Sequence, residues 1–181
     1  MKTRILALLV FAIITLAVVF FAPENIQKTQ MPDKETVIPE GYTAQNNFTF
    51  TDPLGVKYEL ADFAGRNVVV CFWASWNATS RALLDHVEAA IPTYYDQAVF
   101  LPINVGKAGK DGLKKAQAVM TAGEYTFPLY IDKTGVAHHN VTFTPQTYVF
   151  DGMGNLLECI SGDWTEDTLT HIFTEILAPV E

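Results

Sequence analysis

The sequence predicts an α/β domain standing behind one N-terminal membrane helix. Three observations lead there. Residues 5–22 form an apolar run of eighteen in which only Thr15 is polar. Residues 68–74 form a seven-residue apolar run rich in β-branched and aromatic types, the pattern of a buried central strand. Strand-like and helix-like segments then alternate to the C-terminus, which implies a sheet with helices on both faces.

The first run suits a bilayer. At about 1.5 Å per residue it makes a helix roughly 27 Å long, close to the hydrocarbon thickness. Lys2 and Arg4 precede it and no comparable positive excess follows, which puts the N-terminus in the cytoplasm and the domain outside the cell membrane. The exit, Phe20-Phe21-Ala22-Pro23, lacks the small-x-small pattern of a cleavage site, so residues 1–22 read as an uncleaved, single-pass signal anchor. Residues 23–45 hold Pro23, Pro32 and Pro39 among polar side chains and read as a flexible tether with a typical span of roughly 25 Å. The folded domain is then 46–181.

Within it, Phe48-Thr49-Phe50-Thr51 and Val56-Lys57-Tyr58-Glu59-Leu60 alternate on either side of Asp52-Pro53-Leu54-Gly55, which predicts an N-terminal β-hairpin. After the central strand, Asn77 reads as a helix N-cap. Leu83, Leu84, Val87, Ala90 and Ile91 recur at helical spacing up to Pro92. Residues 98–105 form a second inner strand. Leu113, Ala116, Val119 and Met120 mark a helix that Gly123 ends. Leu129-Tyr130-Ile131 is a short strand leading past Gly135 into a short helix. Residues 147–150 and 156–160 form the closing hairpin. Asp163 with Glu166 three places on resembles a capping box, opening a last helix whose stripe is Leu169, Ile172, Phe173, Ile176 and Leu177.

Charge narrows the partners. The chain carries −8; without Lys2 and Arg4 it has 10 basic against 20 acidic residues, or −10. Nucleic acid, which needs a basic patch, is thereby excluded. Gly106-Lys107-Ala108-Gly109-Lys110-Asp111-Gly112 lacks the Gly-Lys-Ser/Thr ending of a phosphate loop. His138-His139 is an adjacent pair whose side chains diverge, with no ligand spacing beside it, and His86 and His171 stand alone. No metal site and no cofactor are predicted.

The chemistry is decided at the strand-to-helix turn. Phe72-Trp73-Ala74-Ser75-Trp76, followed by four residues and Arg81, resembles the active-site turn of thioredoxin-like proteins, in particular the membrane-anchored TlpA/ResA type of thiol–disulfide oxidoreductase. Phe127-Pro128, then Phe143-Thr144-Pro145-Gln146-Thr147-Tyr148-Val149-Phe150-Asp151, then Gly154-Asn155, match later landmarks of that family in order. The resemblance runs from about Asn47 to the C-terminus and implies a thioredoxin-like fold, a central mixed sheet flanked by helices. It also implies that Asn77 and Ser80 stand where the family carries its two cysteines, that Leu83 replaces an acidic residue and Asp85 a helix proline.

An amide has no nucleophilic form, and a serine needs a base that nothing nearby provides. The expectation is a degenerate site with no catalytic residue, in which Asn77 and Ser80 serve as capping residues. The family places a cis-proline at Thr144-Pro145, leaving backbone groups free to pair with an extended peptide. Trp76, Asn77, Thr144 and Pro145 are then expected to line a groove for a polypeptide or envelope protein partner, with Phe143 in place of a common glycine; alternatively Pro145 only shapes the turn. Cys71 and Cys159 are the only thiols. The family fold places a strand between theirs, and two strand spacings of about 9.6 Å exceed disulfide reach, so both are expected to be free and buried. A thiol–disulfide oxidoreductase using Cys71 or Cys159, as in envelope redox homeostasis or cytochrome c maturation, is the alternative.

Overall fold

The computed structural model describes residues 42, 47–106, 112–132 and 144–178. The predicted anchor 1–22, nearly all of the tether 23–45, residues 107–111 of the glycine- and lysine-rich stretch, and the expected short helix after Gly135 with His138-His139 and Phe143 lie outside the described residues. The chain divides into two units, Met1–Gln30 and Met31–Glu181, and every described residue belongs to the second. Among the described residues no helix is long and apolar enough to cross a membrane.

The elements in chain order are β1 (Thr49–Thr51), β2 (Lys57–Glu59), a 3₁₀ turn (Leu60–Phe63), β3 (Asn67–Trp73), α1 (Ala78–Tyr94), β4 (Ala98–Asn104), α2 (Leu113–Ala122), β5 (Tyr130–Ile131), β6 (Gln146–Phe150), β7 (Leu156–Ser161) and α3 (Glu166–Thr170), which continues as a π-helical turn (His171–Ile176). They build one mixed sheet in the order β2-β1-β5-β4-β3-β6-β7. The central strand β3 runs parallel to β4, with Val70 beside Leu101, and antiparallel to β6, with Val70 beside Tyr148. Because side chains alternate along a strand, β3 feeds two cores. Val69, Cys71 and Trp73 join Leu83, Leu84 and Val87 of α1, Ala116 of α2, and Ile172 and Phe173 of the last helix. Val68, Val70 and Phe72 join Phe50 and Tyr58 of the hairpin and Leu60 and Phe63 of the 3₁₀ turn. Helices were expected on both faces; among the described residues the buried apolar side chains of α1, α2 and the π turn that continues α3 all join the first cluster.

Local departures have physical causes. The helix predicted to stop at Pro92 runs on to Tyr94, with Pro92 inside its final turn. The Tyr95 N–H still reaches the Ile91 carbonyl at 3.0 Å, so the missing proline N–H removes one bond without ending the helix. At the end of α2 it is Glu124, φ 53°, that turns left-handed, while Gly123 keeps φ −87°. The glycine is needed for space: a Cβ there would lie 2.3 Å from the Tyr125 ring. The last helix is capped by Thr165, whose side chain accepts from the Thr168 N–H while Thr168 caps the Thr165 N–H. Asp163, the expected cap, instead accepts from the Trp164 N–H at 2.8 Å and faces His86 Nδ1 at 2.9 Å.

Candidate functional site

The residues following β3 form a tight turn held from three sides. The Asn77 N–H donates to the Ala74 carbonyl at 3.1 Å. Ser80, fully buried, lets its Oγ accept from the Ala74 N–H at 3.1 Å. Arg81 donates through Nη1 to the Ser75 carbonyl at 3.1 Å. Asn77 is the expected N-cap: its Oδ1 accepts from the N–H of Thr79 at 2.8 Å and of Ser80 at 3.3 Å. Ser80 is no cap; its hydroxyl is committed to the turn.

Facing this turn is the Thr144–Pro145 peptide bond, which is cis. Asn77 Nδ2 donates to the Thr144 carbonyl across 67 residues of sequence. One amide therefore ties the start of α1 to the loop that opens β6. Of the four residues expected to line a groove, Trp76 is exposed at 45%, Asn77 and Thr144 are half-buried, and Pro145 is buried. The structure brings Asn77 and Thr144 into direct contact and places Trp76 outermost.

The two thiols lie elsewhere. Cys71 sits in the middle of β3, fully buried, and loss of hydration pushes its pKa up from about 9 to about 12, a weak Thr147 hydrogen bond acting the other way. Behind it, the Trp164 indole N–H donates to Thr147 Oγ1 at 2.9 Å. Cys159 does not meet its expectation of burial. It is exposed, on the sheet's edge strand β7, and its sulfur accepts from Gln146 Nε2 at 3.1 Å. As expected, β6 separates the strands of Cys71 and Cys159; Cys71 stands beside Thr147, whereas Cys159 stands beside Tyr148. Adjacent strand residues point to opposite faces, so the thiols also look away from each other. Burial, the Cys159 sulfur and its hydrogen bond push the Tyr148 hydroxyl up to about 12.

Beside the turn, a cleft of about 390 Å³ separates α1 from α2, lined by Arg81, Asp85, Val119, Gly123 and Tyr125 among others. The Tyr125 hydroxyl donates to Asp85 at 2.6 Å; burial and that carboxylate push its pKa up. Sequence reasoning gave no signal for this contact, which joins residues 40 apart. Among the described residues no group of three His, Cys, Asp or Glu side chains converges on a common point.

A mixed sheet whose central strand turns into a helix against a cis-proline loop defines a thioredoxin-like α/β protein. The chain belongs to the AhpC/TSA family, whose profile matches residues 41–158. It is similar to thioredoxin-like protein YneN of Bacillus subtilis (strain 168), at 32% identity over 134 residues, 74% of this chain and 78% of that protein. It is also similar to thiol-disulfide oxidoreductase ResA of Geobacillus kaustophilus (strain HTA426), at 29% identity over 143 residues, 77% of this chain and 79% of that one. The crystal structure of the exposed lipoprotein thioredoxin of Streptococcus pneumoniae strain TIGR4 superposes with a TM-score of 0.62 at 23% identity, covering 71% of this chain and 98% of that one; this likeness concerns the fold alone.

Proposed function

We propose that this is a membrane-tethered, extracytoplasmic thioredoxin-like protein that binds an extended or partly unfolded polypeptide, or an envelope protein presenting one, at the Trp76 turn without exchanging electrons there. In this reading Asn77 and Ser80 occupy the cysteine positions of the oxidoreductases, and residues 1–22 supply the anchor. The observation that carries it is that both side chains are already spent on structure, Asn77 as cap and bridge and Ser80 as acceptor for Ala74. No thiolate is available in the turn, and disulfide exchange requires one. What remains is an exposed tryptophan beside a loop backbone, suited to an apolar residue on an extended chain.

The full chain, held in lipid nanodiscs, is expected not to accelerate insulin reduction by dithiothreitol above the reagent alone. Turnover would overturn the redox-inactive reading. One observation favours the alternative, an oxidoreductase like the relatives named so: Cys159 is exposed and receives the Gln146 amide hydrogen. Turnover abolished by Cys159→Ser would establish that alternative.

A further inference from the structure

We infer that the end of the sheet opposite the Trp76 turn is a lipid-docking surface: Tyr95, Met153, Leu156 and Leu157 rest on the bilayer that holds the anchor, and the turn is presented away from it. The inference rests on the anchored reading above and adds a membrane-facing surface to it.

The strand directions define two ends. β3 runs from Asn67 to Trp73 and leads into the Trp76 turn, while at its start Val68 lies beside Phe150, which leads into the β6–β7 turn. The β1–β2 turn belongs to the Trp76 end, because Thr51 pairs with Ile131, Ile131 with Asn104 and Asn104 with Trp73. Among the described residues the large exposed apolar side chains divide between these ends. Leu54, Val56 and Trp76 stand at the Trp76 end; Tyr95, Met153, Leu156 and Leu157, between 42% and 59% exposed, stand at the other.

This second group is contiguous and firmly held. The Gly65 N–H donates to the Gly152 carbonyl at 2.7 Å, and Arg66 Nη2 donates to the Tyr95 carbonyl at 2.7 Å. The end of α1 is thereby joined to the β6–β7 turn. Within that turn one Asp151 oxygen accepts from the N–H groups of Met153 at 2.9 Å and Asn155 at 2.8 Å, and the other accepts from the Asn155 amide at 2.8 Å. Met153 is therefore displayed on a rigid support. A tyrosine beside aliphatic side chains and an arginine is a composition suited to the headgroup region. The chain is acidic, −8 overall, so burial of apolar area rather than charge must supply the attraction.

The tether says what covers this surface. Tyr42 belongs to the predicted tether, and its ring is seated against Gly154, where a Cβ would lie 2.6 Å from it. It also packs on the second core cluster. The tether is thus fixed at the Met153 end of the sheet. As the flexible chain the sequence predicts, residues 23–41 span roughly 25 Å between Tyr42 and the anchor. That brings this end to the lipid at ordinary extension. Turning the Trp76 end toward the lipid would require the tether to run the height of the domain as well, of which β3 alone is about 20 Å.

The test reconstitutes the full chain in phosphatidylcholine vesicles with brominated or unbrominated acyl chains and reads tryptophan emission. The three native tryptophans are the control, since Trp73 and Trp164 are buried and Trp76 stands at the far end. Bromolipid is expected to leave the parent's emission unchanged. Tyr95→Trp and Met153→Trp each add a reporter at the proposed surface, and each is expected to lose emission in bromolipid. Adding Met153→Ser and Leu156→Ser to the Tyr95→Trp chain is expected to restore it; both side chains are exposed, so the core is untouched. Unquenched reporters in chains that float with the vesicles leave the anchor standing and overturn the inference. Quenching of the parent overturns it too, as does quenching that survives both serines, which would mean that the tether alone keeps this end near lipid. Chains that fail to float with the vesicles refute the anchored reading itself, and the inference with it.

Discussion

Ser80 shows how one side chain of the turn has become structural. Its Oγ accepts from the buried Ala74 N–H, so Ser80→Ala leaves a donor without that acceptor. The expected loss is about 1–3 kcal/mol, read as a lower urea midpoint with an unchanged slope. An unaltered midpoint would show that water or a shifted backbone takes the bond over. How far this residue-scale picture could be read beforehand depended on distance along the chain. The Asn77 cap was legible because its partners are two and three residues away. Its bond to Thr144 was not, since nothing local signals a partner 67 residues off. Cys159 misled for a related reason: unpaired cysteines are usually buried, but that tendency takes no account of which strand ends up at the sheet's edge.

At the scale of elements, the strands and the hairpin were legible almost to the residue, because β-branched runs bounded by turn residues have few other readings. The helix ends were less so. Pro92 was expected to stop α1, yet a proline in a final turn removes only one bond, and the stacking of Tyr94 on Phe173, with ring centroids 3.9 Å apart, holds that turn in place. The last helix was expected to present a regular 3.6-residue stripe. It widens instead into a π turn, in which the Leu177 N–H reaches the Ile172 carbonyl at 2.9 Å, and Ile172 and Phe173 stay buried while Ile176 and Leu177 are only partly covered. Gly123 yields a prediction at this scale. Gly123→Ala would drive a methyl into the Tyr125 ring and is expected to release the Tyr125–Asp85 bond, costing about 1–3 kcal/mol by overpacking. The change should register as a lower thermal midpoint together with altered tyrosine fluorescence. An unperturbed midpoint would mean that α2 and its exit loop move apart freely.

For the whole molecule, the buried acids point one way. Cys71, Tyr130 and Tyr148 are each raised to about 12, all chiefly by loss of hydration. A raised pKa keeps the proton bound in the fold at a pH where the unfolded chain has released it. Stability is therefore complete below about pH 9 and declines as pH climbs toward 12, with a slope of up to about 1.4 kcal/mol per pH unit for each group. Between pH 9 and 10 the cysteine ionises in the unfolded chain ahead of the tyrosines, so Cys71→Ala is expected to flatten that part of the decline in urea unfolding series at pH 8, 9 and 10. An identical slope in parent and variant would mean that Cys71 is not shielded as described. The opposed placement of Cys71 and Cys159, with β6 between them, has a further consequence for the chain in an oxidising milieu. An internal cystine is geometrically barred, so any covalent cross-link that leaves the fold intact must run outward from Cys159, joining one molecule to another or to a small thiol and leaving the interior untouched.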